Sequence, residues 1–198
     1  MIKFVSELQD SLSKDFKQPQ MKLQQLVRRG ELFKVVRGIY ETDSNASGEV
    51  LASSIYGPSY LSFEYALFRH GIIPEQVQVF TSATFGKNKT KKYNTTFGTF
   101  TYQDIPASTF AYGVYLEDAA SEKIDARPFA LASPEKALCD KLYSSSPLTS
   151  VKQMQIFLFE NLRVERSDLK NFDWGFIRQV SPLYRKRCFQ YLEKAVLK

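Results

Sequence analysis

A chain of 198 residues that is 43% hydrophobic and 24% charged has ordinary globular composition, with enough apolar material for a core. Its formal net charge of +6 favours an acidic partner, either nucleic acid or an acidic protein. No apolar run approaches the roughly 20 residues of a membrane span, and the opening MIKFVSELQDSLSK lacks the apolar stretch of a signal peptide, so a cytoplasmic protein with no membrane partner is expected.

In chain order, residues 2–13 read as a helix with Val5, Leu8 and Leu12 as its stripe. After a polar linker, Pro19 suits the first turn of a second helix, residues 18–29, in which Leu23, Leu26 and Val27 fall on one face. The opposite side carries Gln18, Met21, Lys22, Gln25, Arg28 and Arg29. Gly30 stands where a helix-ending residue in the left-handed region is wanted. Residues 31–36 read as a strand, Arg37-Gly38 as a turn, and Ile39-Tyr40 as the start of a return strand. A basic, glutamine-rich helix followed by a hairpin with a basic tip matches the recognition helix and wing of a winged helix. Gln and Arg are side chains that pair bidentately with adenine and guanine edges. The same pattern also fits a solvated amphipathic helix packed beside a hairpin. Between Lys14 and Arg37 there are seven Lys/Arg against Asp15 and Glu31, a local charge of +5. The turn formers ETDSNASG then mark a boundary between residues 1–45 and residues 46–198.

The second unit opens with a short helix, residues 50–56, stopped by Gly57-Pro58. PSYLSFEYALFRHGII reads as a buried helix with Ser59 or Ser62 as N-cap and Gly71 as its stop. His70 is read as a capping or packing group. Residues 77–131 change to strand period, with a basic loop from Gly86 that is read as a charged hairpin tip, and the strand spacing suggests a mostly antiparallel sheet. Lys123 opens the last of these strands. Ser133-Pro134-Glu135 starts a helix, and Asp140 lies one turn after Lys136 and pairs with it. The remainder is helical: residues 151–161, a segment from Ser167 through Ile177, and a last helix from Ser181-Pro182 with Arg185, Lys186, Arg187 and Lys194 on its polar side.

No phosphate-binding loop, dinucleotide fingerprint, HExxH or zinc-spaced cysteine pair is present. Cys139 and Cys188 lie on helical patterns and read as buried thiols. The remaining enzymatic candidate is the set Glu117, Asp118, Glu135 and Asp140 with Lys136 and Lys141, residue types that hold Mg²⁺ for phosphodiester cleavage. Glu135 is explained by the helix N-terminus and Asp140 by Lys136, so no catalytic residue, metal site or cofactor is assigned.

LFKVVRGIY (residues 32–40), Leu51-Ala52, PSYLS (58–62) running on to Ala66-Leu67 and His70-Gly71, FTYQDI (100–105) and ASPEKALCD (132–140), in this order, resemble the AbiEi family, the antitoxins of type IV toxin–antitoxin (abortive infection) systems. The resemblance runs from about Met21 to the C-terminus. It implies an N-terminal winged helix that binds and represses the operon's own promoter, and a C-terminal domain that counters a nucleotidyltransferase-like toxin. Carried onto this chain, it puts the helix with Lys22, Gln25, Arg28 and Arg29 in the DNA major groove, with Lys34 and Arg37 beside the phosphate backbone or in a minor groove. PSYLS and SPEKALCD are read as structural. About 17 residues precede the candidate recognition helix, room for one helix where a full winged helix has two. The expectation is therefore an α+β protein, with a reduced, winged-helix-like unit ahead of a larger, mostly antiparallel sheet packed with helices and a helical C-terminus. The expected partners are promoter DNA, bound tightly as a homodimer, and the cognate toxin. The alternative is a toxin-binding module that does not bind DNA.

Overall fold

The computed structural model describes residues 1–117 and 127–197. Its architecture is α+β: N-terminal helices with a small three-stranded sheet, then a six-stranded mixed sheet, then a helical C-terminal region.

The first unit runs β1 (Ile2–Phe4), α1 (Val5–Asp15), α2 (Pro19–Arg28), β2 (Phe33–Val36) and β3 (Ile39–Glu41). The helix expected from residue 2 begins at Val5, because Ile2, Lys3 and Phe4 pair antiparallel with Glu41, Tyr40 and Ile39. A three-residue strand shows too little alternation to be read, and its partner is distant in sequence. β3 is thus central, in the order β1-β3-β2. Glu41, fully buried at its end, accepts from the Thr42 and Asp43 N–H groups, the Met1 amino group and Arg127 Nη1 (2.9 Å). The last contact ties the small sheet to the second unit, and Val35 and Ile39 join the main apolar core.

In the second unit, α3 (Gly48–Ile55) starts at Ser47, whose Oγ accepts from Glu49 N at 3.3 Å. The helix expected from Ser59 or Ser62 is divided. Tyr60–Leu61 form β4, and α4 (Phe63–Arg69) follows Ser62, whose hydroxyl does not cap it. At its far end Gly71, φ +72°, donates to Phe68 O at 2.8 Å and Ile72 N donates to Leu67 O at 2.9 Å, the two bonds of a Schellman stop.

The large sheet adds β5 (Val79–Thr84), β6 (Lys91–Thr95), β7 (Gly98–Asp104), β8 (Val114–Glu117) and β9 (Phe129–Ala132), in the order β6-β7-β5-β4-β9-β8. It is a mixed sheet: β4/β5, β6/β7 and β8/β9 are antiparallel as expected, but β5 runs parallel to β7 and β4 parallel to β9. The chain leaves β5 for the edge strand β6 and returns as β7 between them, which makes β5 and β7 co-directional. Residues 123–126 of the expected last strand lie outside the described residues.

Helices α5 (Pro134–Ser144), α6 (Val151–Gln155, running on as a π-helix over Ile156–Asn161), α7 (Arg166–Lys170), α8 (Trp174–Val180) and α9 (Phe189–Leu197) complete the fold. The element expected from Ser167 through Ile177 divides at Asp173, whose carboxylate accepts from Phe176 N at 2.9 Å and caps α8. Ser181–Tyr184 is a 3-10 turn, ended by Arg185 at φ +52°, and not the start of the last helix. Lys186, expected on a polar helix face, instead donates to the carbonyls of Leu142, Tyr143 and Ser145 at 2.6–2.9 Å. It caps the negative end of α5. Among the described residues no helix is long and apolar enough to cross a membrane.

Candidate nucleic-acid interface

α2 is held by Leu23, which is 6% exposed, and by half-buried Leu26 and Val27. It stops where the glycine signal puts it. Gly30, φ +71°, donates to Val27 O, and Glu31 N donates to Leu26 O, again a Schellman pair. At about 100° per residue, burying Leu23 turns Met21, Gln24, Gln25 and Arg28 outward, and all four are exposed. Lys22 is half-buried, its ammonium 4.9 Å from the Phe16 ring centroid. Arg29 is exposed and loosely paired with Glu31 at 3.9 Å. Such a solvated pair contributes little.

Lys34 lies exposed on β2 opposite Tyr40. Arg37 is exposed at the turn between β2 and β3, where Gly38 takes φ +85° and its carbonyl accepts from Val5 N at 2.9 Å, pinning the turn to the start of α1. Of the six candidate residues, Gln25, Arg28 and Arg29 share the exposed side of α2, and Arg28 and Lys34 line one groove between helix and hairpin. Gln9, Gln20, Gln24 and Tyr40 line that groove too and escaped the sequence reading. The spacing of Gln20, Gln24 and Arg28, each four residues on, was the signal that could have found the helical part.

PSYLS and SPEKALCD meet at one buried polar centre. Ser133 Oγ accepts from Lys136 N, Pro134 is in the first turn, and α5 then carries Lys136 and Asp140 inward on successive turns. Both side chains are fully buried, which the i,i+4 spacing alone does not disclose. Lys136 Nζ donates to Asp140 Oδ1 at 2.8 Å and to Tyr184 OH at 2.6 Å. Asp140 also accepts from Tyr184 OH (2.6 Å), Ser62 Oγ (2.7 Å) and Tyr60 OH (3.0 Å). Burial, and then the Asp140 charge, push the Tyr60 and Tyr184 phenols far up, so both remain neutral donors. Burial pulls the Lys136 ammonium down from its ordinary value, against the attraction of Asp140.

The acidic set considered for Mg²⁺ chemistry is dispersed among other contacts. Asp140 is saturated as above, Glu135 Oε1 accepts from Asp173 N at 3.1 Å, and Glu117 pairs with Arg69 at 2.8 Å. Lys141 pairs with Glu64. Asp118 lies outside the described residues. Cys139 and Cys188 are free, buried thiols, and burial pushes both up. His70 Nε2 lies 2.8 Å from Ala132 O, joining the end of α4 to β9.

No protein-family model matches the chain, and no curated protein matches it.

Proposed function

We propose that this protein is a DNA-binding antitoxin of the AbiEi kind, a repressor of its own promoter that counters a nucleotidyltransferase-like toxin and has no catalysis of its own. The observation that carries this reading is the order β1-α1-α2-β2-β3, with its strands arranged β1-β3-β2 and the glutamine- and arginine-bearing side of α2 exposed. On this reading that order serves as a helix-turn-helix followed by a wing, with a strand where a full winged helix has a further helix. On this reading Gln25 and Arg28 meet base edges, and Lys22, Arg29, Lys34 and Arg37 meet phosphates. A unit this small makes few contacts, so tight binding takes a homodimer on two half-sites. The antitoxin half rests on the resemblance of residues 46–198, whose two hallmark segments share the Lys136–Asp140 centre.

The test is a salt titration of binding to the DNA upstream of the reading frame and to a scrambled duplex. Tighter binding to the first, with affinity falling as salt rises, supports the reading. Equal affinity for both, unchanged by Arg28→Ala, leaves sequence reading without support, and binding to neither favours the second reading, a toxin-binding module that does not bind DNA. The observation behind that alternative is apolar. Phe4, Phe16 and Met21 are 42%, 41% and 58% exposed around α1 and α2, more greasy surface than a purely phosphate-facing unit needs.

A further inference from the structure

The groove beside α2 has the chemistry of a small-ligand site. It is an open groove of about 450 Å³, within the range of small-molecule pockets. Its apolar floor is Val5 of α1 with Leu23 and Val27 of α2, and its aromatic residue is Tyr40 of β3. Three amide side chains, Gln9, Gln20 and Gln24, line it, and among the described residues none of them has a hydrogen-bond partner in the protein. Arg28 of α2 and Lys34 of β2 each bring a cation to it, no carboxylate lines the groove, and among the described residues neither cation has an acidic partner. The groove exists because α1 packs loosely: none of its residues is buried, so the seam between α1, α2 and the sheet stays open.

We propose that this groove binds a mononucleotide, with the phosphate between Arg28 and Lys34, the base against Tyr40 and the apolar floor, and the glutamine amides on the base edges. Each part of that ligand answers one part of the wall. A bare anion leaves the apolar floor and the amides without a partner. An uncharged aromatic leaves the two cations of the groove without a counter-charge. Arg28 and Lys34 are also residues of the proposed DNA surface. In that one respect the inference rests on the DNA reading: an occupied groove withdraws two cations from the duplex and weakens promoter binding.

The experiment is calorimetric titration of the full chain with AMP, GMP, CMP and UMP in turn, with adenosine and inorganic phosphate as separate arms. At least one mononucleotide should bind at about millimolar affinity or tighter, and adenosine and phosphate should each bind about tenfold more weakly or not at all. Arg28→Gln, on an exposed helix face and without consequence for folding, should lower that affinity about tenfold, the weight of one charge-assisted contact. Tyr40→Leu should lower it as well. Absence of saturable heat with all four mononucleotides overturns the proposal, as does binding that neither variant changes. Adding the mononucleotide to the promoter titration separates the two readings. A chain that binds mononucleotide but not DNA keeps this site and loses the repressor, and a chain that binds promoter DNA but no mononucleotide does the reverse.

Discussion

The Lys136 ammonium stands 2.8 Å from Asp140 Oδ1, and neither side chain exposes any surface. Taking both charges out of water is costly, and the cost is met here by four donors on the Asp140 carboxylate and two acceptors for the Lys136 ammonium. Asp140 gathers Ser62 and Tyr60 from the β4 segment and Tyr184 from the 3-10 turn before α9, so one carboxylate fixes α5 against two distant parts of the chain.

Asp140→Ala should therefore cost about 3–5 kcal/mol, because it strands a buried ammonium and three hydroxyls. That is well above the 1 kcal/mol or so that an exposed i,i+4 pair contributes at most. Lys136→Met should cost less, since Asp140 keeps three hydroxyl donors. Urea unfolding of the two variants measures the difference, and a loss below about 1 kcal/mol for Asp140→Ala would mean that water reaches the centre.

Local signals in the sequence were legible and distant ones were not. Gly30, Gly71 and Ser133-Pro134 each decide a helix end within a few residues, and all three lie where those signals put them. β1, β4 and the parallel pairings of the large sheet depend on partners far along the chain, and their strands are short. Lys186 is the sharpest case. Its neighbours Arg185 and Arg187 make it look like one more surface cation, and only the folded chain brings the end of α5 to it. On the candidate interface, the exposed side of α2 follows from helical period. The groove it shares with Tyr40 does not, because it depends on how the hairpin and α1 pack against α2.

Glu41 gives a pH dependence. Burial alone would push its carboxyl up, but the hydrogen bonds from the Met1 amino group, Arg127 and Thr42 N–H outweigh it and hold the group below its ordinary 4.5. A folded-state value below the unfolded one means that stability is fully present above about pH 4.5 and is lost as pH falls through the folded value. Urea midpoints followed from neutral pH down to about pH 3 should fall, and Glu41→Gln should be less stable at neutral pH and show a shallower fall. Equal slopes for the two proteins would remove Glu41 from the acid response.

Two glycines should fail for different reasons. A Cβ on Gly48 would stand 2.2 Å from the ring of Phe80, which itself stacks on Phe100 with centroids 5.0 Å apart. Gly48→Ala should cost about 1–3 kcal/mol through overpacking, and Phe80→Leu in the same chain should return part of it. Gly71 has open space around it but sits at φ +72°, so Gly71→Ala should cost about 1–2 kcal/mol through backbone strain, with no rescue from a neighbour. Thermal midpoints of the single and double variants decide between clash and strain. Failure of Phe80→Leu to restore any stability to Gly48→Ala would put the clash account aside.

The base-facing and phosphate-facing residues should separate on DNA. Gln25 and Arg28 project from the exposed side of α2, held there by the burial of Leu23 opposite, whereas Lys34 and Arg37 stand on the hairpin. If α2 lies in the major groove, Gln25→Ala or Arg28→Ala should cost about 1–3 kcal/mol on the promoter and flatten the preference over a scrambled duplex. Lys34→Ala or Arg37→Ala should weaken both duplexes alike and lower the salt slope by about one unit for each phosphate no longer neutralised. All four side chains are exposed and make no ion pair among the described residues, so these substitutions should leave the thermal midpoint nearly unchanged and the effect on DNA can be read cleanly. Anisotropy titrations over a salt series give both numbers for each variant. If Arg28→Ala and Lys34→Ala change slope and preference in the same proportion, α2 is not reading bases and the interface is electrostatic alone.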